Sequence, residues 1–294
     1  MFIEWLKALL YGVIEGITEW LPVSSTGHLI LIQDLIPFAF TSDKTFLEEY
    51  SEMFQVVIQL GAILAVVVLF WGKLWPFSRT KSREERTRTW SLWFKVVVAS
   101  IPAALIGIVG DAILEKVSGK DIDGWLYNSV VVAAALIVYG IAFIVLEHFR
   151  HGEMPRVDTV NDISYKTAFL VGAFQALSIV PGTSRSGSTI LGAMCLGLSR
   201  TAGAEFSFFM AIPAMVGASG IKVLGFFDYL GESGVTVPVD AWIALAVGCV
   251  VSFVVSMVAI RFLVDFVKKH SFAPFGVYRI VLGALVLIWW LVRV

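Results

Sequence analysis

Trp20-Leu21-Pro22-Val23-Ser24-Ser25-Thr26-Gly27 breaks an apolar run near the start of the chain, and Ile179-Val180-Pro181-Gly182-Thr183-Ser184-Arg185-Ser186-Gly187 breaks another in its second half. In both, proline and glycine interrupt helical pairing, and hydroxyl side chains stand ready to cap a new helix. The first can be laid on the second with one inserted residue. The broken regions 1–35 and 167–198 therefore read as two copies of one device, each a pair of half-helices too short to cross a bilayer. A hydrocarbon core of about 30 Å takes about 17–25 helical residues. Six uninterrupted apolar stretches reach that length, near 53–71, 92–109, 126–146, 206–227, 241–260 and 275–294. The expectation is an all-α polytopic membrane protein with six transmembrane helices plus two re-entrant helical hairpins.

Composition agrees. The 294 residues are 58% hydrophobic and 15% charged, against about 45–50% and about 25% in soluble domains, and the mean hydropathy is +0.84. A net charge of −1 provides no basic field for nucleic acid, which is excluded as a partner. Cys195 and Cys249 lie in apolar segments without ligand spacing and read as small core residues. Glu4 ahead of Lys7, with Glu15 and Glu19 inside the run, does not match a removable signal peptide. Trp71, Trp75, Trp90, Trp93, Trp125, Trp289 and Trp290 sit near segment ends, where interfacial belts form.

Basic residues orient the chain. The stretch 72–90 holds six, Lys73, Arg79, Lys81, Arg83, Arg86 and Arg88, whereas 36–52 holds one and 228–240 none. The positive-inside rule makes 72–90 cytoplasmic. Counting outward puts 36–52, 110–125 and 228–240 outside and 147–166, 199–205 and 261–274 inside, so each broken region returns to the side it entered from. Three spans separate the two hairpins. The chain then divides within a single integral membrane domain into a first repeat, 1–150, with hairpin 1–35 plus three spans, and a second, 151–294, with hairpin 167–198 plus three spans. This inverted-topology repeat places a site near mid-membrane, where irregular backbone is tolerated only against protein or a water-filled cavity.

Glu15 and Glu19, four apart in a helical context, project from one face. Intramembrane carboxylates are costly unless paired, hydrated or metal-bound, which makes them functional candidates. A hydrated helix end, a proton relay and an ion site all remain open for the pair alone. Ser24-Ser25-Thr26-Gly27-His28 adds hydroxyls that cap a helix and an imidazole within one turn, able to act as base, acid or nucleophile. In Pro181-Gly182-Thr183-Ser184-Arg185-Ser186-Gly187-Ser188-Thr189 a guanidinium is flanked by hydroxyls where a glycine-rich turn opens a helix, an arrangement suited to phosphate. The GxxxxGK[ST] spacing is absent, so nucleotide binding is not inferred. Carboxylates for a divalent cation, a Ser/His pair and an Arg-centred anion cradle together read as a phosphoryl-transfer site.

The stretch from Glu15 to Leu29 resembles the ExxxE-containing signature of the undecaprenyl-diphosphatase family, also called bacitracin-resistance proteins, and Pro181 to Thr189 resembles their PGxSRSxxT signature. Segments Phe54 to Gly61 and Leu198 to Phe206 are also similar, so the resemblance runs essentially end to end. It implies an enzyme of the bacterial inner membrane that is dependent on a divalent cation, Mg²⁺ or Ca²⁺. The enzyme would convert undecaprenyl diphosphate and related prenyl diphosphates to the monophosphate and inorganic phosphate. That reaction recycles the carrier lipid for peptidoglycan synthesis and confers bacitracin resistance, with the site opening to the periplasmic or outer face. By motif position, Glu15 and Glu19 assist metal binding and catalysis; Ser24, Ser25, Thr26 and His28 sit at the reacting phosphate; Ser184, Arg185, Ser186 and Thr189 hold the diphosphate. Gln55 stands where some members have Glu and is given no ligand role. Ser25 activated by His28 is the first choice of nucleophile, with His28 itself and a metal-activated water as alternatives. A hydrophobic groove between spans is expected for the prenyl tail, and a homo-oligomer remains an option. The alternative function is a transporter or lipid flippase on the same inverted-repeat plan.

Overall fold

The structure is a computed structural model in which residues 2–118, 126, 128–150 and 152–293 are described. Residues 119–125 of the loop placed at 110–125, Trp125 among them, lie outside the described residues. In chain order the helices are α1 (Phe2–Thr18), α2 (Ser25–Leu35), α3 (Lys44–Leu69), the short α4 (Trp71–Leu74), α5 (Arg83–Ser118), α6 (Ser129–Phe149), α7 (Tyr165–Ala176), α8 (Arg185–Cys195), α9 (Arg200–Ser233), α10 (Val239–Val267) and α11 (Ala273–Arg293). Single 3₁₀ turns cover Val160–Asp162 and Leu177–Ile179.

Six of these helices are long and apolar enough to cross a membrane: Lys44–Leu69, Arg83–Gly110, Ser129–Phe149, Arg200–Ser233, Val239–Val267 and Ala273–Val292. Each overlaps one of the six expected stretches, and the chain is an all-α multi-pass membrane protein. Several begin well before the apolar stretch. Hydrogen bonding, unlike hydropathy, continues through a polar first turn, and a capping side chain fixes where it starts. Asp43 accepts from the Phe46 N–H at 3.1 Å, Asn128 from the Val131 N–H at 2.9 Å and Ser164 from the Thr167 N–H at 3.0 Å. The two broken regions are indeed broken, α1 and α2 around residues 19–24, α7 and α8 around residues 177–184.

By internal packing the chain forms two compact units whose segments interleave along the sequence. The first comprises Met1–Trp20, His28–Trp71 and Ala211–Arg261. Here α10 packs backbone-close on α1 and α3: a Cβ on Gly12 would meet the Gly248 carbonyl at 2.7 Å, and one on Gly61 the Cys249 carbonyl at 2.3 Å. Small residues of this kind allow the close helix approach that drives association where lipid offers no hydrophobic contrast. An aromatic cluster of Tyr11, Phe38, Tyr50 and Phe54 fills the remaining core, and the Tyr50 hydroxyl donates to the Ala241 carbonyl at 2.7 Å.

The second unit comprises Leu21–Gly27, Gly72–Met210 and Phe262–Val294. Within it α6 and α11 meet through Gly140 and Gly276, each leaving room for the other's carbonyl, and α7 meets α5 where a Cβ on Gly172 would reach the Ala99 carbonyl at 1.9 Å. An ionic knot ties α6, α9 and the lead into α11. Glu147, 5% exposed, accepts from Arg200 Nε at 2.8 Å, from a second guanidinium nitrogen of Arg200, and from the Phe272 N–H at 2.8 Å. Glu147→Ala strands all of these donors. It should cost about 2–3 kcal/mol, less than a fully buried pair because the Arg200 side chain is 37% exposed, and a lowered thermal unfolding midpoint in detergent is the check.

The cysteines depart from expectation. Cys195, at the end of α8, is exposed, and Cys249 is half-buried with its thiol 3.6 Å from the Val57 carbonyl. Neither is a fully buried core residue, since in a membrane protein a small apolar side chain faces lipid without penalty.

Candidate functional site

The two interrupting segments build the same local structure. Ser24 and Ser184 are the non-glycine residues with positive φ among those described, at 75° and 69°. Each precedes a helix, and its hydroxyl accepts from the N–H three residues on, Gly27 at 3.3 Å and Gly187 at 3.1 Å. A left-handed backbone costs an L-residue about 1–2 kcal/mol, and the same strain recurs at the serine before α2 and the serine before α8.

Leu21–Gly27 and the turn before α8 lie together in the second unit. The Ser186 hydroxyl, 3.1 Å from that of Ser184, is 3.5 Å from the Leu21 carbonyl. Val132 on α6 faces both turns, since a Cβ on Gly182 would meet its carbonyl at 2.5 Å and one on Gly27 its side chain at 3.7 Å. Gly182 also has φ +89°. For Gly182→Ala we expect a loss of more than about 1–2 kcal/mol, read as a lowered unfolding midpoint, because strain and collision add.

Arg185 is half-buried at the first position of α8, and one terminal nitrogen donates to the Ser207 carbonyl at 2.9 Å. Thr189, one turn on and fully buried, bonds the Arg185 carbonyl at 2.8 Å and the Ser207 hydroxyl at 2.5 Å. The turn is thus held from behind while Arg185 stays partly accessible. Ser24 and Ser25 are buried at 1% and 7% exposure, and Thr26 is half-buried.

Glu15, Glu19 and His28 belong to the first unit. The Glu19 N–H bonds the Glu15 carbonyl at 3.0 Å, so helical pairing runs to Glu19 and the two carboxylates share a face. Both are buried, at 0% and 5% exposure. Gly16 between them docks on α10, where the Ser256 hydroxyl donates to its carbonyl at 3.3 Å. His28 is half-buried in the first turn of α2. Gln55 is engaged by Gln33. Among the described residues no three His, Cys, Asp or Glu side chains converge as metal ligands. Two adjacent carboxylates fit a cation such as Mg²⁺ that takes its remaining ligands from substrate phosphate and water.

Sequence reading missed Arg279. It is 0% exposed, and its guanidinium donates to the Pro22 carbonyl at 3.0 Å and to the Gly182 and Thr183 carbonyls at 2.8 Å each, with the Tyr139 ring 5.5 Å away. The signal was present: a lone Arg inside an apolar span is a functional candidate by default.

The family model described as Bacitracin resistance protein BacA matches residues 8–285. The undecaprenyl-diphosphatase of Enterococcus faecalis is 48% identical over 291 residues, 99% of each chain. That of Streptococcus pyogenes is 51% identical over 293 residues, 98% of this chain and 97% of its own. With both signature stretches folded into paired, serine-capped turns, the chain belongs to the BacA family of bacitracin resistance proteins.

Proposed function

We propose that this chain is an undecaprenyl-diphosphatase of the bacterial inner membrane, hydrolysing undecaprenyl diphosphate to undecaprenyl phosphate and inorganic phosphate. It would thereby recycle the carrier lipid for peptidoglycan synthesis and support bacitracin resistance. The observation that carries the reading is the pair of strained, serine-capped helix starts fastened together beside Arg185, in a chain about half identical to proteins of that name. Helix N-termini and a guanidinium are what a diphosphate needs.

In the mechanism we favour, Arg185, with Ser24, Thr26, Ser184, Ser186 and the Thr189-braced start of α8, holds the diphosphate. The Ser25 hydroxyl attacks the terminal phosphorus as His28 takes its proton, and undecaprenyl phosphate departs with the bridging oxygen. Water then hydrolyses the phosphoserine, releasing inorganic phosphate and regenerating Ser25. Direct attack by His28 or by water would use the same cradle. Glu15 and Glu19 would hold the divalent cation, Mg²⁺ or Ca²⁺, which when bound offsets the charge building on the phosphoryl oxygens.

An apolar groove of about 340 Å³, lined by Val131, Ala135, Val138, Tyr139, Leu177 and Val180, also includes Thr183 of the cradle turn and suits the start of a prenyl tail. The inverted repeat, with two re-entrant hairpins and a site opening outward, is part of the same proposal, supported by the twin turns and the basic 72–90 segment.

Phosphate release from a prenyl diphosphate by the purified protein in detergent, with and without chelator, tests the reading. We expect release that chelation abolishes. No release from folded protein would favour a transporter or flippase, whose cargo movement detergent makes invisible.

A further inference from the structure

Arg279 has the surroundings of a buried charge without a counter-charge. Its side chain is fully buried, yet among the described residues its partners are three main-chain carbonyls and an aromatic ring, with no carboxylate, and its Nε makes no hydrogen bond. A buried cation of this kind is expensive unless something supplies negative charge or the geometry it enforces is needed.

The carbonyls it holds are not arbitrary. Pro22 lies two residues before Ser24, and Gly182 lies two before Ser184, so one planar fork grips the equivalent peptide in each strained turn. The third bond, to Thr183, fixes the peptide that leads directly into Ser184. In a trans peptide the C=O and the following N–H are antiparallel, so drawing the Thr183 carbonyl to Arg279 turns the Ser184 N–H away from it. A lysine, with a single nitrogen and no planar fork, would not reproduce this span. Gly187 completes the arrangement: a Cβ there would lie 2.9 Å from a terminal nitrogen of Arg279, so the first turn of α8 approaches the guanidinium only without a side chain.

We propose that Arg279 is the positioning residue of the diphosphate site: it locks the two serine-capped turns in register and sets behind them a positive charge with no carboxylate against it, which the negative charge of the diphosphate offsets. The inference rests on the phosphatase reading. It adds that a residue about 260 positions from the first turn sets the spacing of the anion cradle and its affinity for phosphate. Arg279 acts through Ser24, Ser184 and Arg185 and not on the reacting atoms.

The test compares wild type, Arg279→Lys, Arg279→Gln and Gly187→Ala in detergent. It measures kcat, KM, inhibition by inorganic pyrophosphate and the unfolding midpoint, with all kinetics taken below each protein's midpoint. Misplacing catalytic groups by about 1 Å costs about 10²-fold, so kcat/KM should fall by that order in both Arg279 variants. Pyrophosphate inhibition should weaken alongside. Gly187→Ala, which retains the charge but pushes the fork aside, should lower kcat with a smaller change in pyrophosphate inhibition. Should Arg279→Gln fail to fold, Arg279→Lys and Gly187→Ala carry the comparison. Folded Arg279 variants with wild-type kinetics, or kinetic losses with unchanged pyrophosphate inhibition that follow only the folded fraction, would overturn the inference. Absence of phosphate release from wild type would overturn the phosphatase reading instead.

Discussion

Arg185→Ala is expected to lower kcat for phosphate release from a prenyl diphosphate by about 10³-fold, the range seen when a preorganised donor to a transferring phosphoryl group is removed. Arg185 stands at the first position of α8, half-buried, with one terminal nitrogen spent on the Ser207 carbonyl at 2.9 Å. That bond helps to fix the guanidinium plane, a group whose planar fork suits a bidentate grip on phosphate oxygens. Arg185→Lys should recover part of the loss, since it restores the charge without the fork. Because Thr189 and Ser207 hold the turn from behind, at 2.5 Å between their hydroxyls, neither variant should move the unfolding midpoint much. Steady-state kinetics on folded protein decide the matter, and activity within about tenfold of wild type would remove Arg185 from the transition state.

Glu19→Gln should cost about 10²–10⁴-fold in kcat/KM, the range for a general acid–base group, and should raise the Mg²⁺ concentration needed for half-maximal activity. The substitution keeps the shape while removing one negative charge from a pair buried where α1 ends. Glu15→Gln should act in the same direction. No three His, Cys, Asp or Glu side chains converge among the described residues, so on the proposed reading losing either carboxylate would leave a single protein ligand for the cation. A metal titration gives the discriminating result. Lost activity with an unmoved metal requirement would reassign Glu19 from the cation to proton transfer.

The six spans were legible because hydropathy over some twenty residues is a local property, and the breaks were legible because proline, glycine and clustered hydroxyls act on their own backbone. Local chemistry also singled out Glu15, Glu19 and Arg185, since each is a charge set in or beside an apolar run. Even the likeness of the two turns could be read, although only the positive φ at Ser24 and Ser184 made it a structural equivalence. Other features depended on partners far away in the chain. Glu147 becomes intelligible once Arg200 and the Phe272 N–H reach it, and Gly172 once α5 brings the Ala99 carbonyl within 1.9 Å of where a Cβ would stand. Cys195 reads as core in an apolar sequence and is exposed, because in a membrane the surface is apolar too. Arg279 is the plainest case. Its sequence position marks it as unusual, but nothing within α11 says that it will hold Pro22, Gly182 and Thr183. Hydrophobic pattern and turn chemistry are written residue by residue, whereas the destination of a buried guanidinium is settled only when helices hundreds of residues apart pack together and leave carbonyls as its partners.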